Sequence, residues 1–334
     1  METYINGISY YLPKNTLSND DIHKVHPEWD AEKISKKTGI KNRYIASKNE
    51  CSSDMAVNAA KILFEEYGID RNEIDFLIFC TQSPDYVLPT SACIIQERLN
   101  LPTSIGAFDF NLGCSGYVYG LSIAKGFISS GIAKKILFLT ANTYSKYIHP
   151  KDKSNKTIFG DAATATILSS ENTGLWQVGN FVFGTDGKGA ENLIVKNSGI
   201  KFNSEMNKDI LDNDKNFIKN DSNLYMNGGE IFSFSSSAVP KLISEVLQNN
   251  KLTLESTDAF VFHQANRYML DYIRRKINIE QNKFIIHIEN VGNTVSNTIP
   301  IALKEKCINS NYQNIILAGF GVGYSWSGCV LKRK

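Results

Sequence analysis

The chain repeats itself, and the repeat restricts it to folds built from two similar halves. The apolar segment EIDFLIFCTQ (73–82) ends in a polar turn, and TDAFVFHQAN (257–266) reads the same way, with Cys80 opposite His263. Each follows an amphipathic helical stretch, AVNAAKILFEEYG (56–68) in one half and AVPKLISEVLQNN (238–250) in the other. Further on, AFDFNLGCSG (107–116) parallels HIENVGNTVS (287–296), which sets Cys114 opposite Asn293. Twenty-two residues beyond each comes another apolar strand, ILFLTAN from Ile136 and IILAGFG from Ile315. Short apolar strands alternating with long helices predict βαβ units and mainly parallel sheets covered by helices on both faces. The expected fold is therefore α/β, with an N-terminal half over 1–172 and a C-terminal half over 173–334, the boundary following FGDAATATIL (159–168). A polar stretch at about 186–224, rich in Asn, Asp and Lys, is expected to cross the surface as an insertion.

Charge and cysteine usage narrow the function classes. A net charge of +2 gives no general electrostatic reason to bind nucleic acid or an anionic membrane, so any basic docking site must be local. The start METYINGISYYLPKN lacks a basic segment followed by an apolar stretch, and no run of ~18 apolar residues occurs, so a cytoplasmic protein without a membrane span is expected. The six cysteines are scattered, with no C-x-x-C pair and no zinc-finger spacing, and read as thiols.

Ligands of open α/β sheets bind beyond the carboxyl ends of the strands, and four such ends here carry notable residues. Cys114 lies between the strand AFDFNL and an apolar helix that stops at Gly131, where the helix dipole and unpaired N–H groups favour a thiolate. Gly113 and Gly116 there suit tight turning and close approach of a substrate. His263 occupies the comparable turn after DAFVF, whereas His23, His26 and His149 lie in polar contexts and His287 in an expected strand. Asn293 sits in VGNT, and GFGVGYSWSG (319–328) offers backbone N–H groups at a glycine-rich turn. Singly, each residue also fits a structural role. Jointly, a cysteine nucleophile, two hydrogen-bonding side chains and an N–H-rich loop are what thioester acyl transfer requires.

These motifs resemble those of the β-ketoacyl-acyl-carrier-protein synthase III family, condensing enzymes of the thiolase superfamily. The resemblance runs from about residue 3 onward through KKTGIKNRYIA (36–46), LPTSACIIQ (88–96), LGCSGYVYGL (112–121), FGDAATATIL (159–168), HQAN (263–266), GNT (292–294) and GFGVGYSW (319–326). It implies a thiolase fold, two pseudo-symmetric halves in a layered αβαβα core, and a homodimer active in lipid metabolism. It implies that Cys114 takes an acyl group from an acyl thioester, with the backbone N–H groups of Cys114 and Val322 as the oxyanion hole. His263 and Asn293 would then hydrogen-bond the thioester carbonyl of malonyl-acyl-carrier protein as CO2 departs, giving a 3-oxoacyl product with no metal or redox cofactor. It further implies substrate contacts at Leu88, Gly321, Gly323, Phe159, Lys37 and Lys153, and carrier-protein docking at Arg267, Arg275 and Lys276.

The chain departs from the family pattern in places. Lys33 stands where the family often has a Trp that stacks on the adenine of coenzyme A, although Trp29 lies one helical turn earlier. Val322 replaces the middle residue of three consecutive glycines. Both point to a specialised acyl donor, supplied by coenzyme A or by carrier protein, rather than to the initiator of fatty-acid synthesis. Leu88, before the proline of YVLPTSAC, stands where relatives restricted to acetyl primers carry an aromatic ring, so a longer or branched primer is expected. The competing reading is an acyltransferase of the same fold with a hydroxyl or amine acceptor, against which Asn293 argues. A thiolase would need a second cysteine near Gly319–Gly323, and a non-catalytic subunit would be expected to lose Cys114.

Overall fold

The structure is a computed structural model and describes residues 1–333. Its centre is a ten-stranded sheet: β1 (Tyr4–Tyr11), β2 (Phe76–Cys80), β3 (Gly106–Phe110), β4 (Lys135–Asn142), β5 (Ala162–Ser169), β6 (Trp176–Thr185), β7 (Ala259–Phe262), β8 (Phe284–Ile285), β9 (Asn314–Gly321) and β10 (Ser325–Lys332). The spatial order is β8-β7-β9-β10-β6-β1-β5-β4-β2-β3. Between β1 and β6 only Tyr4 with Gln177 and Ile5 with Trp176 are paired, so the sheet is two five-stranded sheets joined by a narrow seam. In each half the inner three strands are antiparallel and the outer three parallel: β1-β5-β4 then β4-β2-β3, and β6-β10-β9 then β9-β7-β8.

The duplication reaches single side chains. The Asp75 carboxylate, just before β2, accepts from the N–H groups of Lys134 and Lys135 at 2.6 and 3.0 Å. Asp258, just before β7, does the same for Gln313 and Asn314 at 2.9 and 2.8 Å. Both thereby satisfy backbone donors where the neighbouring strand begins.

Seven helices matter for the site: α1 (Ala31–Thr38), α2 (Ser52–Tyr67), α3 (Ser91–Arg98), α4 (Gly116–Ser129), α5 (Gly228–Asn250), α6 (Arg267–Ile277) and α7 (Thr298–Lys306). Three buried clusters fix the layers. Val118 and Leu121 of α4 and Ile299 and Leu303 of α7 pack with Ile78, Val261 and Leu317 between the two sheets. Met55 and Leu63 of α2 and Ile95 of α3 cover the outer face of the first half, and Leu242 and Val246 of α5 with Leu270 of α6 cover that of the second. Helices on the outside, sheets inside them and a central helical layer make an αβαβα stack. Strands buried on both faces explain the unbroken apolar runs in the sequence.

The expected insertion is not uniformly superficial. It holds two small antiparallel pairs, Asp209–Leu211 with Phe217–Asn220 and Leu193–Ile194 with Tyr225–Met226, and it buries Leu193, Asn197, Asn220 and Leu224. His287, expected within a strand, lies in the loop after β8, which ends at Ile285. Among the described residues, no helix is long and apolar enough to cross a membrane.

Candidate active site

The end of β7 and the loops that follow β3 and β8 deliver three polar side chains to one cavity. After β3 the chain turns through a hydrogen bond from Gly116 N–H to Gly113 carbonyl, 2.8 Å, and presents Cys114 beside the N-terminus of α4. His263 extends β7 by one ladder bond, its N–H donating to Ala318 at 2.8 Å. Its neighbours in HQAN hold this strand end. Buried Gln264 donates to the Phe262 carbonyl at 2.6 Å and accepts from His287 N–H at 2.8 Å, and Asn266 caps α6 through Met269 N–H. Asn293 forms a bridge with Phe159, its N–H donating to Ile158 at 2.9 Å and its carbonyl accepting from Gly160 at 3.0 Å. Cys114, His263, Asn293, Phe159, Gly321, Lys37 and Lys153 all line a cavity of about 720 Å³.

Close packing behind this cavity requires glycine at particular points. A Cβ on Gly321 would stand 2.9 Å from Cys114 Sγ, so any side chain there would displace the thiol. Neither Gly113 nor Gly116 adopts a positive φ, and what fixes Gly116 is space, since its Cβ would meet Cys80 Sγ at 2.4 Å. That Cys80 is the duplication's counterpart of His263 and serves here as packing, with Sγ donating to the Leu112 carbonyl.

Burial pushes the Cys114 thiol up to about 12, against the opposing pull of the Val322 and Cys114 backbone N–H groups. The resting group is therefore a neutral thiol, which corrects the thiolate expected from the helix N-terminus: desolvation outweighs the local dipoles. Burial likewise pulls His263 down to about 3, so the imidazole is neutral. The site starts as a neutral pair rather than an ion pair.

Three side chains form a hydrogen-bonded chain that begins and ends on the backbone of Val295. Val295 N–H donates to Asn293 Oδ1 at 2.9 Å, which turns Nδ2 toward His263 Nε2, 3.5 Å away. On the far side of the ring, His263 Nδ1 lies 2.8 Å from Thr298 Oγ1, whose hydroxyl donates to the Val295 carbonyl at 3.0 Å. Sequence reasoning missed Val295 and Thr298, because a β-branched residue in VSNT carries no sign of φ +59°.

Other expectations fare differently. Trp29 is buried, its ring stacked on His26 at 4.0 Å with Lys153 Nζ 5.4 Å from its centre, so it is not free to stack on a nucleobase. Lys33 lines the cavity and is exposed. Val322 and Gly323 border a second cavity of about 330 Å³ with Gln82, Asn111, Tyr144, Tyr147 and Leu224, and His263 does not line it. There the Tyr144 hydroxyl donates to Gln82 Oε1 and Gln82 Nε2 donates to Asn111. Leu88 lines neither cavity and is 79% exposed on this chain. Arg267, Arg275 and Lys276 lie on α6, with Arg267 ion-paired to Asp271 at 2.9 Å and Arg275 donating to the Asp271 carbonyl.

Family models for 3-oxoacyl-(acyl-carrier-protein) synthase III match residues 108–187 and, for its C-terminal part, 247–333. The chain is 36% identical over 337 residues to β-ketoacyl-(acyl-carrier-protein) synthase III of Clostridium tetani, covering 99% of this chain and 98% of that protein. The chain belongs to the β-ketoacyl-acyl-carrier-protein synthase III family. A solved 3-oxoacyl-(acyl-carrier-protein) synthase III superposes with a TM-score of 0.95 at 46% identity, covering 99% of this chain and 100% of that one. The 3-oxoacyl-(acyl-carrier protein) synthase of Burkholderia xenovorans LB400 superposes at 0.91 with 34% identity, covering 100% of this chain and 94% of that one. As in other synthase III chains, the fold is that of thiolase, and the protein is an enzyme of this class.

Proposed function

We propose that this synthase III homologue is an acyltransferase that performs a decarboxylative Claisen condensation between an acyl thioester primer and malonyl-acyl-carrier protein. The observation that carries this reading is the meeting of Cys114, His263 and Asn293 on one cavity, with the Val322 N–H directed at Cys114 Sγ. Cys114 attacks the primer carbonyl, and the N–H groups of Cys114 and Val322 hold the oxyanion. Backbone donors already in place cost no reorganisation when that charge develops. The first thiol leaves, and the malonyl thioester enters with its carbonyl facing His263 and Asn293. Their hydrogen bonds stabilise the enolate as the C–C bond to carboxylate breaks and CO2 departs. A neutral pair suits this step, because it stabilises the enolate without protonating it. The carbanion attacks the acyl-Cys114 carbonyl, the C–S bond to Cys114 breaks, and the released thiolate takes up a proton from solvent as 3-oxoacyl-carrier protein leaves.

Lys37 and Lys153 at the cavity are placed to meet the phosphate-bearing arm of the donor, and Phe159 and Gly321 to flank the thioester. In a homodimer, Leu88 of one subunit would close the other's primer channel, whose wall includes Gly323. Arg267, Arg275 and Lys276 would receive the acidic carrier protein. No metal or redox cofactor enters this chemistry.

The test is to supply the purified protein with an acyl donor and malonyl-carrier protein and to measure 3-oxoacyl product and CO2. Both should form in equal amounts and be lost in Cys114→Ala. Transfer of the acyl group to a hydroxyl or amine acceptor without CO2 release would establish the competing acyltransferase reading instead.

A further inference from the structure

The ring of hydrogen bonds on Val295 contains one group that can work in both directions. Val295 N–H can only donate and the Val295 carbonyl can only accept, so the amide of Asn293 and the polarity at both ends are fixed. Thr298 Oγ1 is different, since a hydroxyl is donor and acceptor together. While it donates to the Val295 carbonyl it can accept only from Nδ1–H, which leaves His263 Nε2 an unprotonated acceptor at the cavity, with Asn293 Nδ2 3.5 Å away. Turned by rotation about its C–O bond, the same hydroxyl donates to Nδ1 and lets Nε2 carry the proton.

The two half-reactions need opposite things from Nε2. Cys114 is a buried neutral thiol, so its acylation needs a proton acceptor. In that step the S–H bond breaks and the proton moves to Nε2, while the new S–C bond forms and the donor's C–S bond breaks. The departing thiolate takes the proton from Nε2 and leaves as a thiol. Condensation needs the reverse, an Nε2–H that donates to the malonyl thioester carbonyl. Between the steps the ring passes from its Nδ1–H to its Nε2–H neutral tautomer, one proton lost and one gained with no net change.

Resting on the condensing-enzyme reading above, we propose that Thr298 is the positioning residue that lets His263 serve first as proton acceptor and then as hydrogen-bond donor, by satisfying Nδ1 in either neutral tautomer. Burial of both His263 and Thr298 makes the partner necessary, because an unpaired ring nitrogen has no water to turn to. The Val295 backbone also favours a proton on the ring, as a carbonyl does, so removing the hydroxyl leaves Nδ1 facing a group that only accepts. His263 would then be held with Nδ1 protonated and Nε2 bare, the form that opposes the malonyl carbonyl oxygen.

The test uses Thr298→Val, which keeps the shape and removes the hydroxyl, and Thr298→Ser, which keeps the hydroxyl. Single-turnover acylation of Cys114 is read by intact mass, and malonyl-carrier decarboxylation by CO2 release. Thr298→Val should slow decarboxylation at least tenfold more than it slows acylation, towards the ~10²-fold loss typical of a missing oxyanion donor. Thr298→Ser should recover both rates. Equal losses in the two steps, no loss in either, or a Ser variant as impaired as the Val variant would overturn the assignment. A wild-type protein that takes up no acyl group would instead remove the condensing-enzyme reading itself.

Discussion

Val295 N–H donates to Asn293 Oδ1 across 2.9 Å from a left-handed backbone, φ +59°, that β-branched residues seldom adopt. The residue is fully buried, so packing and two hydrogen bonds hold a conformation that costs of the order of 1–3 kcal/mol. Its purpose is orientation: the amide of Asn293 and the hydroxyl of Thr298 are both aimed by the peptide groups of this one residue.

Strain at Val295 inverts a familiar order of stability. Glycine normally destabilises relative to alanine, but at a left-handed position alanine carries a penalty of ~1–2 kcal/mol that glycine escapes. Val295→Gly should therefore melt no lower than Val295→Ala in thermal unfolding. An Ala variant melting several degrees above the Gly variant would show that the position is unstrained.

His263 makes the fold sensitive to acid. The folded protein keeps the imidazole unprotonated to about pH 3, whereas the unfolded chain takes up a proton near 6.5. Between these values unfolding binds a proton, so stability rises with pH through the window and is lost on acidification below about 6.5. The loss approaches roughly 3 kcal/mol by pH 4. His263→Ala should flatten the dependence of stability on pH between 4 and 6.5 in denaturant titrations, relative to the wild type. Parallel curves for the two proteins would contradict the buried neutral histidine.

The two-half architecture was legible because duplication fixes order, type and interval at once, and the Asp75 and Asp258 carboxylates show the same symmetry. Cys114 and His263 were legible because the chain beyond strand ends in open sheets meets at one rim; Asn293 lies in the loop beyond β8, which ends at Ile285, and was legible through the repeat that sets it opposite Cys114. The protonation state of Cys114 was not, since it depends on how far burial outweighs local N–H groups, which spacing does not encode. Trp29 misled for a similar reason: one helical turn from Lys33 it looks available, yet His26 and Lys153 cover its ring. Thr298 and Val295 lay hidden because their roles come from backbone torsion and a hydroxyl's orientation.

The exposed end of α6 tests carrier docking. Arg275 and Lys276 lie in the last turn of α6, at the opposite end from its start beside His263, while the Asp271 carboxylate partly occupies Arg267. Changing both Arg275 and Lys276 to Glu should raise KM for malonyl-carrier protein and weaken its dependence on ionic strength, with kcat little affected. An unchanged KM at low salt would place docking elsewhere.

Primer length tests Leu88. Each methylene accommodated in an apolar channel contributes ~0.8 kcal/mol, roughly a fourfold preference between donors. In competition among acetyl, butyryl, hexanoyl and octanoyl donors the native protein should favour chains longer than acetyl, and Leu88→Phe should shift the preference towards short ones. Strict acetyl preference in the native protein, or no shift in the variant, would free Leu88 from setting chain length.

The central claim is a covalent acyl group on Cys114. Intact-protein mass after incubation with a panel of acyl-CoA and acyl-carrier-protein donors, without malonyl-carrier protein, measures it directly. The account predicts one added acyl mass per chain with the preferred donor, mapped to the peptide containing Cys114 and absent in Cys114→Ala. An unmodified wild-type protein with every donor, or the same adduct on Cys114→Ala, would contradict it.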